Sequence, residues 1–278
     1  MPELPEVERA RRLVERVARD RRIVKVNCAH DSLVFSGLSA TRVRQALSGR
    51  TVTRTARYGK QLWMELDHRP WPCFHLGMTG SFLTPNEAPL QLASSPGAKE
   101  HVWPPRFTKL HLILDDGGEL AMTNKRRLGR IRLQEDPISE LPISRLGFDP
   151  LLDLPSTQRF AELLKRRSSI LKAVLLDQTF AAGVGNWIAD EVLYQARLDP
   201  RRRANDLSST EVTRLRTKLK YVVETAVATD ADKDLFPKTW LFHRRWHRGR
   251  SADTIRGHRI EHVTIAGRTT AWVPTRQS

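Results

Sequence analysis

The chain has 278 residues, with 47 Lys and Arg against 31 Asp and Glu, so its formal net charge is +16. At roughly 150 residues per domain this is one large or two ordinary domains, and with 40% hydrophobic residues disorder throughout is excluded. No run of about 18 apolar residues and no apolar stretch behind Met1 occurs, and Cys28 and Cys73 alone cannot build a disulfide framework or a four-cysteine zinc site, so an intracellular protein without a membrane span is expected.

Pro5 suits the first turn of a helix, and Val7, Ala10, Val14, Val17 and Ala18 follow at three- and four-residue steps. From about Val52 to Leu133 the pattern becomes short β-type runs: Leu62 to Leu66, Cys73 to Leu76, Leu110 to Leu114, Leu120 to Met122 and Arg130 to Leu133. Asp116-Gly117 marks a hairpin between two of them. This half reads as an antiparallel sandwich or barrel carrying helices. Pro85 to Pro105 reads as a long exposed loop, and Asp136 to Pro155, with four prolines, as an interdomain linker.

Beyond it the period is helical. Ser156 caps a helix reaching Lys165, a second runs from about Ser169 to Leu176, and a third from Trp187 to Ala196. Ser208 to Glu211 is a capping box opening a fourth, to about Ala228. After Pro237, Arg259 to Ile265 and Thr269 to Val273 flank Ala266-Gly267-Arg268, a hairpin with an arginine at its tip. The expected domains are 1–135, 156–236 and 237–278, joined by the linker 136–155. The positive surplus is +7 over residues 1–140, +9 over 141–278 and +7 within 237–278, which points to a polyanion, nucleic acid before an anionic membrane.

The chain opens Met1-Pro2-Glu3-Leu4-Pro5-Glu6-Val7-Glu8. A small second residue permits removal of Met1, leaving Pro2 with a secondary amine that is partly neutral near its ordinary pKa of about 8. Such an amine attacks an aldehyde-level carbon to form an iminium, and Glu3 beside it can shuttle protons. The same residues also suit a plain helix start, with acids near its positive end; the motif alone leaves both readings open.

Five collinear segments resemble the formamidopyrimidine-DNA glycosylase and endonuclease VIII family: Pro2 to Glu8, Arg57-Tyr58-Gly59-Lys60, His75 to Gly80, Lys125-Arg126-Arg127-Leu128-Gly129, and Leu176-Asp177-Gln178 followed by Gly183 to Glu191. The resemblance implies an α+β protein: an N-terminal antiparallel β-sandwich with flanking helices and a C-terminal helical, helix-two-turn-helix domain with a β-hairpin finger. It implies Pro2 as the nucleophile on C1′ of a damaged nucleotide, Glu3 as acid and base with Glu6 in support, and Lys60 on a phosphate beside the lesion. Met78, Arg126, Arg127 and Leu128 would fill the gap left by the flipped base. Many bacterial members have an aromatic residue where Leu128 stands. Asn186 would contact phosphates at the interhelical turn, and Lys172 would point toward the lesion.

Most bacterial members close with a four-cysteine zinc finger, but the last 42 residues of this chain contain no cysteine. His243, His247, His258 and His262 lack thiolate or regularly spaced acidic partners, so no metal and no cofactor are expected. Gly267 to Pro274 instead resembles the zincless finger of plant and fungal members, with Arg268 on the flanking phosphates and Trp240, Phe242, Trp246 and Trp272 as apolar anchors. The expected partner is double-stranded DNA containing oxidised bases, bound by a monomer, with no membrane role. Two rivals stand beside this reading, an oxidised-pyrimidine glycosylase of the same family and a non-catalytic DNA-binding protein; RNA binding is a weaker third, for want of an aromatic-rich stacking motif. Thr229 to Pro237 is short where many bacterial members carry a loop covering flipped 8-oxoguanine. Purified protein is therefore expected to excise formamidopyrimidine and hydantoin lesions faster than 8-oxoguanine from matched duplexes, and efficient 8-oxoguanine excision would overturn that expectation.

Overall fold

Helix α1 (Leu4–Ala18) begins with a reciprocal capping box in which Glu3 N–H donates to Glu6 Oε2 at 2.9 Å, with Pro5 in the first turn. Val7, Ala10, Val14 and Ala18 form its buried stripe. The computed structural model describes residues 1–85, 102–246 and 254–278, so most of the expected loop from Pro85 to Pro105 lies outside the described residues. Two compact units emerge, Met1–Arg145 and Leu146–Ser278.

The first unit holds two four-stranded antiparallel sheets. One has the order β1 (Ile23–Cys28), β6 (Thr108–Leu114), β7 (Glu119–Thr123), β5 (Ser81–Leu83); the other runs β2 (Val52–Tyr58), β3 (Gln61–Leu66), β4 (Trp71–His75), β8 (Arg130–Gln134). Leu62, Met64 and Phe74 from one sheet share a core with Leu110, Leu112 and Met122 from the other, closed by α1 and by α2 (Ala40–Leu47), which Ser39 caps. Phe74 meets Phe82 edge to face at 5.0 Å between the sheets. The sandwich expectation is thus met. Strand β1, strand β5 and α2 carry no clear signal in the sequence. In β1 a register shift between Ile23 and Lys25 puts the buried Ile23 and Val26 three residues apart, which breaks the period of two, and β5 has only three residues.

In the second unit α3 (Thr157–Lys165) is capped by Ser156, followed by α4 (Leu171–Leu176), α5 (Asn186–Ala196) and α6 (Ser209–Ala228), whose Ser208–Glu211 capping box forms as expected. Two short ribbons end the chain, β9 (Thr254–Ile255) with β10 (His258–Arg259) and β11 (Glu261–Ile265) with β12 (Arg268–Trp272). Ala266 and Gly267, at φ 49° and 69°, form the two-residue turn that leads into Arg268; a second such turn, Arg256-Gly257, was not foreseen.

Two boundaries need correction. The stretch 136–155 is not a free linker: Gln134 donates to Leu141 O and Ile143 is buried in the first unit, while Phe148 packs on Phe160 and Phe180 in the second. Nor does 237–278 stand apart from the helices. Ile255, Ile260, Ala271 and Val273 share a core with Tyr194 of α5, and Trp240 and Phe242 join Trp187 and Phe236 in an aromatic cluster. Trp272 is buried beneath the Arg201 guanidinium, 4.3 Å from the ring centre, whereas Trp246 lies at the surface against Phe242.

Candidate active site and nucleic-acid interface

In the first unit, Pro2 and Glu3 lie buried at the start of α1, and the terminal amine on Met1 is within electrostatic reach of Glu3, Glu6, Lys60 and Arg126. Burial lowers the pKa of that amine, while the two carboxylates raise it and the two cations lower it. The structure therefore brings Glu3, Glu6 and Lys60 to the terminal amine beside Pro2, together with Arg126, which the sequence reading had placed with the gap-filling residues. Burial, and then the neighbouring Glu3 carboxyl, push the Glu6 carboxyl up to about 7.

Lys60 occupies the two-residue turn Gly59-Lys60 between β2 and β3, with Gly59 at φ 57°. What holds this turn is an ion pair that sequence reasoning missed. The buried Arg57 guanidinium donates to Glu8 Oε2 of α1 at 3.1 Å and to Gly59 O at 2.9 Å. Burial would raise the Glu8 carboxyl, but hydrogen bonds and charge from Arg11 and Arg57 hold it below its usual range.

Met78 and Arg126 to Leu128 lie on two abutting loops. Asn124, also missed, pins both: its Nδ2 donates to Leu76 O at 3.0 Å and its Oδ1 accepts from Gly129 N at 3.2 Å. Arg126 N–H donates to Thr79 Oγ1 at 3.3 Å. The backbones come so close that a Cβ on Gly77 would sit 2.5 Å from Gly129 N, and Gly77 is at φ 62°. Arg126 is exposed and Leu128 is 42% exposed. Arg127 is different: its guanidinium makes two hydrogen bonds, 3.0 and 3.2 Å, to Asp31, which Lys109 also approaches at 2.8 Å. The pair uses Nε and Nη2, and the Arg127 side chain remains half exposed. His75 is another residue without an assigned role. Burial, then Lys60, Arg132 and Arg130, lower its pKa to about 4, so at neutral pH its neutral Nδ1 accepts from Gly77 N at 3.3 Å.

In the second unit, Asn186 and Asp190 lie one turn apart on the same face of α5. Asn186 Nδ2 donates to Thr269 O at 2.9 Å, and Asp190 Oδ2 accepts from Ala271 N at 3.2 Å, so α5 zips onto β12 next to the exposed Arg268. Asn186 and Arg268 are thereby neighbours. Lys172 requires correction. It is fully buried, its ammonium paired with Asp190 and hydrogen-bonded to Thr270 Oγ1 at 2.7 Å, so it holds the hairpin from inside and presents no charge at the surface. Arg245 completes the cluster with Nη2 at 2.6 Å from Asp190 Oδ2. Asp190 lies in the Gly183–Glu191 segment that carries the resemblance, but its pairing was not legible there, and Arg245 was hidden in a run of basic residues.

Among the described residues no three His, Cys, Asp or Glu side chains are grouped to hold a metal ion. His243, His258 and His262 are each engaged with an oxygen, of Phe236, Thr275 and Arg245 respectively, and His247 lies outside the described residues.

Family models for the formamidopyrimidine-DNA glycosylase N-terminal domain and H2TH domain match residues 1–131 and 146–238. A formamidopyrimidine-DNA glycosylase of Arabidopsis thaliana is 42% identical over 277 residues, covering 100% of this chain and 71% of that protein. One from Pelobacter propionicus is 30% identical, covering 99% and 98%. The fold is also that of a Lactococcus lactis formamidopyrimidine-DNA glycosylase solved with DNA containing an AP site, at a TM-score of 0.80, 23% identity and 99% coverage of both chains. The chain belongs to the formamidopyrimidine-DNA glycosylase family.

Asp190→Ala would leave Lys172 and Arg245 buried without their counter-charge, and should cost about 3–5 kcal/mol in denaturant unfolding, with Lys172→Met in the same chain recovering part of it. For Glu6 the folded carboxyl holds its proton to about pH 7 against 4.5 ordinarily. Its contribution to stability is therefore complete below about pH 4.5 and falls away as the pH rises to 7, by about 3 kcal/mol at most. Glu6→Gln should flatten that part of the stability–pH curve; an unchanged slope would show that Glu6 does not cause it.

Proposed function

We propose that this protein is a bifunctional DNA glycosylase and AP lyase that excises oxidised purines, chiefly formamidopyrimidines and hydantoins, from double-stranded DNA, acting as a monomer without a cofactor. The observation that carries this is the gathering of the terminal amine, Glu3, Glu6, Lys60 and Arg126 at one place in the first unit. In the full-length chain Met1 acylates the Pro2 nitrogen, so the chemistry starts once Met1 is removed.

The Pro2 nitrogen then attacks C1′ and the bond from C1′ to the base nitrogen breaks, its electron pair leaving with the base, which takes up a proton. Glu3, beside the nitrogen, relays protons while the sugar ring opens to the iminium. Loss of a C2′ proton expels the 3′ phosphate, and a second elimination expels the 5′ phosphate. Lys60 and Arg126 place positive charge where phosphates and the opposite strand approach. Arg268, exposed at its turn and neighboured by Asn186, is assigned to the phosphates flanking the lesion and to the last elimination. Met78 and Leu128 fill the emptied stack.

Borohydride should trap a covalent adduct between the purified protein and a lesion duplex, and Pro2→Gly should lose both trapping and strand cleavage by at least about 100-fold, the scale of one activated nucleophile. Trapping that survives acetylation of the terminal amine would show that the assigned nucleophile is wrong, whereas wild-type trapping by Pro2→Gly would show that a primary amine at that place suffices. Intact-mass measurement showing Met1 retained would favour a non-catalytic DNA-binding protein instead.

A further inference from the structure

The C-terminal end of α5 opens onto a cavity of about 280 Å³ lined by Tyr194, Arg197, Lys218, Tyr221, Arg256 and Arg276, among others, with no carboxylate in its wall. Three of these guanidinium groups, Arg276, Arg256 and Arg197, are close enough for their charges to act on the Tyr194 hydroxyl, as does the buried Glu191 carboxyl, which lies outside the wall and accepts from Gln195 Nε2 and Phe242 N. None of the three makes a side-chain hydrogen bond or ion pair among the described residues, in a protein where Arg57, Arg127, Arg201, Arg202 and Arg245 all hold carboxylates. The bland explanation is compensation of a helix terminus. An α-helix C-terminus carries only about half a negative charge, which accounts for Arg197 at the cap but not for four cations. Arg256 comes from a different element, placed by the tight turn between β9 and β10.

The walls supply a second kind of recognition. Tyr221 is 42% exposed, with the Lys218 ammonium 5.3 Å from its ring centre and its inner edge against Trp240 at 6.2 Å. A fixed aromatic ring beside unpaired guanidinium groups matches a planar base carrying a phosphate: the ring stacks, and the guanidinium forks bind phosphate oxygens. An acidic peptide would use the cations and leave the ring idle. The cavity also lies about 14 Å along α5 from Asn186 at the other end of that helix, so it is separate from the Asn186–Arg268 corner.

We propose that this cavity is a second nucleic-acid site that binds a nucleoside phosphate, either a free nucleotide or one unit of a single strand. The test is calorimetric titration of the full-length protein with adenosine 5′-monophosphate, inorganic phosphate, an eight-nucleotide single strand and an acidic peptide. Saturable nucleotide binding is expected, at least about tenfold tighter than inorganic phosphate because one stacked base contributes on that scale. Arg256→Glu, Arg276→Glu and Tyr221→Ala should each weaken it about tenfold or more, while borohydride trapping on a lesion duplex stays at the wild-type level, since none of these residues belongs to the catalytic or lesion-side groups. The single strand binding more tightly than the nucleotide, with that gain lost in Arg256→Glu, would identify a strand as the source, and equal affinities at the cavity a free nucleotide. Absence of saturation at millimolar nucleotide, indifference to all three variants, or preference for the peptide would overturn the proposal.

Discussion

The second unit is organised around a carboxylate that water cannot reach. Asp190 accepts from Lys172, from Arg245 and from the backbone of Ala271, and so joins α4, the segment after Trp240 and the finger hairpin at one point. A buried charge is tolerated only when its donors surround it, which makes the geometry all-or-none: the hairpin is seated with every donor in place or the charges are exposed. Four residues earlier on the same helix, Asn186 makes the next rung of the zipper to Thr269. In a finger without cysteines, this cluster and the packing of Ile255, Ile260, Ala271 and Val273 do the holding, and the direction of Arg268 follows from it.

The first unit uses the same logic at its own corner. The Glu8–Arg57 pair fastens the Lys60 turn to the helix whose start carries Pro2, Glu3 and Glu6, and Asn124 fastens the Met78 loop to the loop of Arg126. In each case a side chain singled out by the family resemblance sits on a turn, and a buried polar residue of ordinary appearance fixes that turn. The glycines between them, Gly77 above all, permit the backbone approach that a Cβ would block.

These pairings also give the +16 charge a finer meaning. Arg57, Lys172 and Arg245 contribute to the sum but are consumed inside, whereas Arg126, Arg197, Arg256 and Arg268 are exposed. The group assigned to the chemistry, the Pro2 nitrogen, carries no side-chain charge at all.

Local signals read well from the sequence. The α1 start, the Ser156 and Ser208 caps, the Asp116-Gly117 and Ala266-Gly267 turns and the longer strands are each dictated by neighbours within four residues, and so are legible without coordinates. The grouping of Pro2, Glu3 and Lys60 was legible through family resemblance, not through spacing, since Lys60 is 57 positions away from Glu3. Strand β1, the ownership of residues 136–155, the burial of Lys172 and the roles of Asp190, Arg245, Asn124 and Asp31 were decided only by the tertiary structure. The physical reason is common to all of them: whether a charged or amide side chain is solvated or spent depends on partners tens of residues distant, and nothing within a short window of sequence records that distance being closed.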